Sequence, residues 1–181
     1  TVVLSVAAGK TIGGIARHCP AATAIVRTIP NTPASVGRGI TVATANATVT
    51  AAQRALCESL LAVVGEVGWV DDEGLIDAAT AVSGSGPAYV FHLAEALAAA
   101  ARAVGLPPEL ADRLARVTVT GAGELLHQSE LDPGQLRKNV TSPNGTTAAA
   151  LAVLMAEPDG LTELMTRAVA AAEKRSKELA K

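Results

Sequence analysis

Three short segments gather the side chains that can do chemistry. The first is Val140-Thr141-Ser142-Pro143-Asn144-Gly145-Thr146-Thr147-Ala148, which sets three threonines, a serine and an Asn-Gly turn against the start of a helix. A helix start leaves four backbone N–H groups without in-helix partners, and its dipole favours an anion. Gly145 lets a ligand come close to the backbone. The segment therefore fits a carboxylate or phosphate, with the hydroxyls of Ser142, Thr146 and Thr147 as further donors. An ordinary N-cap needs only one such hydroxyl, and from composition alone it accounts for the segment about as well.

The second segment is Ser83-Gly84-Ser85-Gly86-Pro87-Ala88-Tyr89. A dinucleotide fingerprint needs a preceding strand, a third glycine and a later acidic residue. Here a helical pattern precedes it and Tyr89 stands where the third glycine belongs, so Ser85 reads as a substrate wall or a helix start. Gly121-Ala122-Gly123 lies inside a helical pattern and reads as a close helix contact. The third segment is Ile29-Pro30-Asn31-Thr32-Pro33, at the end of a predicted strand; Ala7-Ala8-Gly9 ends another. Ligands of open α/β sheets bind at such carboxyl ends, but on spacing alone two plain tight turns are the better reading. His18, His92 and His127 are scattered, and no nucleophile–base set or carboxylate pair is readable.

The elements that must position these segments fall into two groups. Over residues 1–70, strands at Val2–Val6, Ala24–Ile29, Gly39–Thr44 and Val67–Val70 alternate with helices, one capped by Thr11 and one by the Thr50/Gln53 capping box. That alternation predicts an α/β layer. In the Thr50 helix Leu56, Leu60, Val63 and Val64 share a face. Asp71-Asp72-Glu73-Gly74 reads as an acidic boundary. Residues 71–181 read as all helical, over 75–82, 87–104, 108–128, a short helix capped by Asp132, 147–156 and a last helix opened by Pro158-Asp159. In the 108–128 helix Leu110, Leu114, Val117, Gly121 and Leu125 share a face; the last helix carries Leu161, Leu164, Met165, Ala168 and Val169 inward. Its charged tail, Glu173 to Lys181, reads as a solvated end with an i,i+4 Glu173–Lys177 pair.

Composition narrows the functions. The chain has 181 residues, 49% hydrophobic and 18% charged, with a net charge of −2 and no basic run, which argues against a nucleic-acid surface. One Trp, one Tyr and one Phe offer no stacking platform for bases. Alanine takes their place and predicts thin, closely approaching helices. Cys19 and Cys57 make neither a disulfide framework nor a zinc motif, and buried thiols fit a reducing, cytoplasmic setting. No apolar run reaches the length of a membrane span, and Thr1 onward is no signal peptide.

These segments, in this order, resemble pyrroline-5-carboxylate reductases. The likeness rests on Ala7-Ala8-Gly9, Arg27 to Pro33, Leu75-Ile76-Asp77-Ala78, Ser83 to Tyr89 and Val140 to Thr147. It runs over nearly the whole chain but lacks the family's opening glycine-rich strand–turn–helix, which predicts a chain entered part-way. The resemblance implies the remainder of a Rossmann-type nucleotide-binding domain (1–70) followed by a helical dimerisation and substrate-binding domain (71–181). It implies reduction of 1-pyrroline-5-carboxylate to L-proline by NADPH or NADH, in a homodimer or a ring of dimers. Ser142, Asn144, Gly145, Thr146 and Thr147 would hold the substrate carboxylate. Thr147 would orient the imine, with Glu130 and Ser85 nearby. Ala7, Ala8, Gly9, Pro30 and Asn31 would line the nicotinamide end, and Asn139 would reach its amide. Asn144 departs from the family's usual glycine, and Asn tolerates the left-handed conformation such a turn needs. Two other readings compete: a dimerising module that keeps the carboxylate site without holding a dinucleotide, and, more weakly, a helical-domain dehydrogenase acting on a hydroxy acid.

Overall fold

The computed structural model describes residues 1–179; Ala180 and Lys181, the end of the charged tail, lie outside the described residues. The chain divides into two compact units. One is Thr1–Pro87 with the stretch from Arg167 onward, and the other is Ala88–Thr166. The division falls at Pro87 rather than at the acidic stretch: Glu73 accepts from Arg27 in the sheet and from Ile12 N–H, and Asp77 accepts from Ser176 Oγ in the same unit.

In the first unit, β1 (Val2–Ser5), β2 (Ala24–Ile29), β3 (Gly39–Ala45) and β4 (Gly65–Trp69) form one sheet in the order β1-β2-β3-β4. β1 and β2 pair parallel, β2 and β3 antiparallel, β3 and β4 parallel. The reversal between β2 and β3 was not legible in the strand–helix alternation. It arises where Pro30 and Pro33 start a short 3-10 turn, Thr32–Val36, closed by left-handed Gly37 in place of a crossover helix. All six residues of β2 are buried, as expected of a central strand covered on both faces. Helix α1 (Ile12–Ala16) is capped by Thr11, whose hydroxyl accepts from Gly14 N–H at 3.0 Å. Helix α2 (Ala51–Leu61) opens with the expected capping box between Thr50 and Gln53.

The core centres on Val26, Ala43 and Cys57, with Val2, Leu4, Ala45, Val49 and Trp69 packed around it. The expected face of α2 is off by one position. Cys57 and Leu61 turn to the sheet, whereas Leu56, Leu60 and Val63 face out. Each residue step rotates a helix by about 100°, so a narrow i,i+4 pair of a small and a large side chain suffices to seat it. Helix α3 (Leu75–Ala79) is anchored by Ile76, 1% exposed, a burial worth about 2 kcal/mol. It runs into a π-helical turn, Thr80–Gly84, and then α4 (Gly86–Ala103).

Beyond α4 the described residues form helices joined by turns. α5 spans Pro108–Gln128, α6 Pro133–Asn139, α7 Thr146–Leu154 and α8 Leu161–Leu179. Among the described residues of the second unit, the buried hydrophobics are Ala98, Ala111 and Ala115. The expected α5 face is overturned: Leu114, Val117, Gly121 and Leu125 are exposed, and the alanines turn inward. Leu161 and Leu164 of α8 are likewise exposed, with Met165, Ala168 and Val169 half-buried. Alanine faces permit close backbone approach, which leaves the longer aliphatic rows pointing away.

Candidate substrate and cofactor site

The chain leaves α6 at Val140 and turns at Ser142-Pro143-Asn144-Gly145. Gly145 N–H donates to Ser142 C=O at 3.1 Å, closing a four-residue turn with proline at its second position. Asn144 stands third with φ 60°, the left-handed value that such a turn demands. A Cβ at Gly145 would meet Ser142 Oγ, so glycine there lets the serine hydroxyl lie against the backbone. Gly145 is the N-cap of α7 and supplies no capping side chain. The first in-helix bond runs from Ala149 N–H to Gly145 C=O at 3.2 Å. Among the described residues no acceptor reaches the N–H groups of Thr146, Thr147 or Ala148.

That distinguishes the segment from an ordinary cap, where a side chain answers one of these donors. Thr11, Thr50 and Asp132 all cap their helices that way in this chain. Thr146 is exposed and Thr147 half-buried, and the Ser142 hydroxyl lies beside Gly145. The arrangement offers three backbone donors and three hydroxyls to one anion.

In the same unit, Asn139 closes α6, and its Oδ1 accepts from Gln135 Nε2 at 2.7 Å, leaving the amide nitrogen to donate elsewhere. Glu130 is exposed in the link between α5 and α6.

The remaining candidates belong to the first unit. β1 and β2 run parallel with Ser5 opposite Arg27, so Ala7-Ala8-Gly9 and Pro30-Asn31 leave the same edge of the sheet, at the strands' carboxyl ends. Ala7 and Ala8 are exposed, Pro30 and Asn31 half-buried. Gly9 is left-handed, φ 71°, and lies against the Leu179 carbonyl. Asn31 carries a structural duty as well: its Oδ1 accepts from Ile40 N–H at 2.9 Å and so starts β3. Ser85 follows the π-helical turn, its N–H donating to Thr80 C=O at 2.8 Å. A methyl group at Gly84 would touch Ile29 Cγ1 at 3.7 Å, so the serine-glycine turn adjoins the end of β2. Small, flat residues at the sheet edge fit one face of a planar ring.

Sequence reasoning passed over one pair in this unit. Arg27 is 4% exposed in the middle of β2 and bonds Glu73 Oε1 at 2.8 Å. Arginine is almost never fully buried without a partner, so a basic residue within an apolar strand was the available signal.

The fold is α/β plus all-α, with a helix start whose first N–H groups have no acceptor among the described residues. The family model for pyrroline-5-carboxylate reductase dimerisation matches residues 73–179. The chain is 44% identical over 179 residues to the pyrroline-5-carboxylate reductase of Pseudomonas aeruginosa, covering 99% of this chain and 65% of that one. It is 45% identical over 180 residues to that of Synechocystis sp., covering 99% and 66%. The solved pyrroline-5-carboxylate reductase of Coxiella burnetii superposes with a TM-score of 0.92 at 46% identity, over 99% of this chain and 66% of that one. The Plasmodium falciparum pyrroline carboxylate reductase, solved with NADP bound, matches with a TM-score of 0.84 at 31% identity, over 100% and 72%. The chain belongs to the pyrroline-5-carboxylate reductase family. It spans slightly less than two thirds of the length of the curated relatives it matches.

Proposed function

We propose that the protein reduces 1-pyrroline-5-carboxylate to L-proline with NADPH or NADH, the last step of proline biosynthesis. The observation that carries this reading is the α7 start, where Thr146, Thr147 and Ala148 present N–H groups that no acceptor takes among the described residues. The substrate carboxylate fits those donors and the Ser142 and Thr146 hydroxyls. The Thr147 hydroxyl then hydrogen-bonds the ring nitrogen and fixes which face of the C=N bond is presented. Glu130 belongs to the surroundings of this site, and Asn144 narrows the turn that frames it.

The nicotinamide cofactor, when bound, supplies a hydride to the imine carbon. Residues of the first unit suit one end of it: Ala7, Ala8, Gly9 and Pro30 as flat walls and Asn31 as an amide partner, with Ser85 beside the end of β2; Asn139 of the helical unit is the second amide partner in this proposal. A protonated imine is already electrophilic, so the protein's contribution is positioning rather than acid–base chemistry. The active form is a homodimer, or a ring of dimers, built on the helical unit.

The test is to mix the purified protein with NADPH or NADH and pyrroline-5-carboxylate and follow the reduced nicotinamide. Consumption that needs the imine supports the reading. No consumption, with proline still bound, favours instead a dimerising module that keeps the carboxylate site.

A further inference from the structure

Glu73 lies between β4 and α3, outside both groups of candidate site residues. Its Oε1 accepts two hydrogen bonds, from Arg27 Nη1 at 2.8 Å and from Ile12 N–H at 2.7 Å. Ile12 is the first residue of α1, directly behind the turn that holds Ala7, Ala8 and Gly9. Arg27 lies on β2, three residues ahead of Pro30. One carboxylate oxygen thus ties the β1–α1 turn to the neighbouring strand.

We propose that Glu73 is a positioning residue for the cofactor wall: it fixes the β1–α1 turn against β2 and so sets the gap between Ala7-Ala8 and Pro30. The identity of the ligand rests on the reductase reading above; the fixing of the turn does not.

The other hydrogen bonds at the turn are local: Ala7 N–H to Ser5 Oγ at 3.3 Å, Lys10 N–H to Ala7 C=O at 3.4 Å and the Thr11 cap. α1 is five residues long, includes Gly13 and Gly14, and buries none of its residues. Segments with few buried contacts open locally at low cost. Glu73 is itself held from the other side, because its side chain is 32% exposed while that of Arg27 is 5% exposed. The buried guanidinium therefore aims the carboxylate at Ile12. Bonds of this charge-assisted kind are stronger than neutral ones.

The test uses Glu73→Ala and Glu73→Gln beside the parent protein, with folding checked by circular dichroism. Glu73→Ala leaves Arg27 buried without its carboxylate and risks unfolding. Glu73→Gln keeps an oxygen for Ile12 and removes only the charge. Trypsin cleavage after Lys10, an exposed residue in the turn, reads the turn directly. We expect it to quicken by on the order of tenfold in Glu73→Ala and severalfold in Glu73→Gln. The KM for NADPH should rise in the same order, with kcat within about twofold. Unchanged cleavage after Lys10 in folded variants overturns the proposal, and so does faster cleavage with an unchanged NADPH KM. If Glu73→Ala does not fold, Glu73→Gln decides by the same two readouts. A parent protein that consumes no NADPH defeats the reductase reading alone; the Lys10 cleavage still decides whether Glu73 holds the turn.

Discussion

Thr147 occupies the second position of α7, with both its hydroxyl and its N–H free of protein partners among the described residues. Thr147→Ala therefore removes a hydroxyl that, in the proposed function, orients the imine, and little that supports the fold. We expect kcat/KM for imine reduction to fall by on the order of a hundredfold, with stability changed by less than about 1 kcal/mol in urea melts. Equal activity in the variant removes Thr147 from the mechanism. Cys57 makes a different prediction. Burial raises its thiol above the ordinary value of 9.0. The folded chain thus holds that proton to higher pH than the unfolded chain. The resulting stability is fully present below about pH 9 and declines as pH rises toward the folded value. Half-buried Cys19 should react with a thiol reagent well before Cys57, which should react only as the chain unfolds. At this scale the α7 turn was legible in the sequence, down to left-handed Asn144, because Pro-Asn-Gly restricts the backbone locally. The Arg27–Glu73 pair was not, because its partners are 46 residues apart and each looks ordinary in its own window.

At the scale of elements, Gly39 and Gly65 open β3 and β4 opposite each other in the parallel register. Gly65 has φ 147°, and a Cβ there would overlap the Gly39 backbone. Gly65→Ala must push the strands apart as well as strain its own backbone. It should cost about 3 kcal/mol in urea denaturation; a cost below about 1 kcal/mol would show that the strand ends can separate freely. Strand and helix limits were largely legible from caps and prolines: β2 lies where expected, and Thr11, Thr50 and Asp132 cap where expected. Buried helix faces were not. Leucine spacing pointed to Leu56–Leu60 on α2 and Leu114–Val117 on α5, and the structure buries Cys57–Leu61 and Ala111–Ala115. Periodicity shows that an apolar stripe exists without showing what it packs against, and in an alanine-rich chain the tight contact goes to the small residues.

For the molecule as a whole, a unit whose buried hydrophobics are three alanines leaves Phe91, Val117, Leu125 and Leu126 bare. So large an apolar surface marks an interface, and the family model that matches this region is a dimerisation model. Light scattering at micromolar concentration should report a dimer, and Val117→Lys should weaken it by at least about tenfold. A parent monomer would contradict this. The α/β plus all-α layout was legible from the change of pattern near residue 70, since strands and helices differ in period; the reversed third strand was not, since a turn's direction leaves no periodic trace. That reversal also orders events in time. β2 and β3 are joined by a short proline-stiffened link, so their pairing closes a small loop, whereas β1–β2 and β3–β4 must each wait for a longer crossover. Short loops close at the least entropic cost, so this hairpin is the natural nucleus of the sheet. Arg27 then enters the nucleus still hydrated, and sheds its water only when Glu73 arrives from far along the chain.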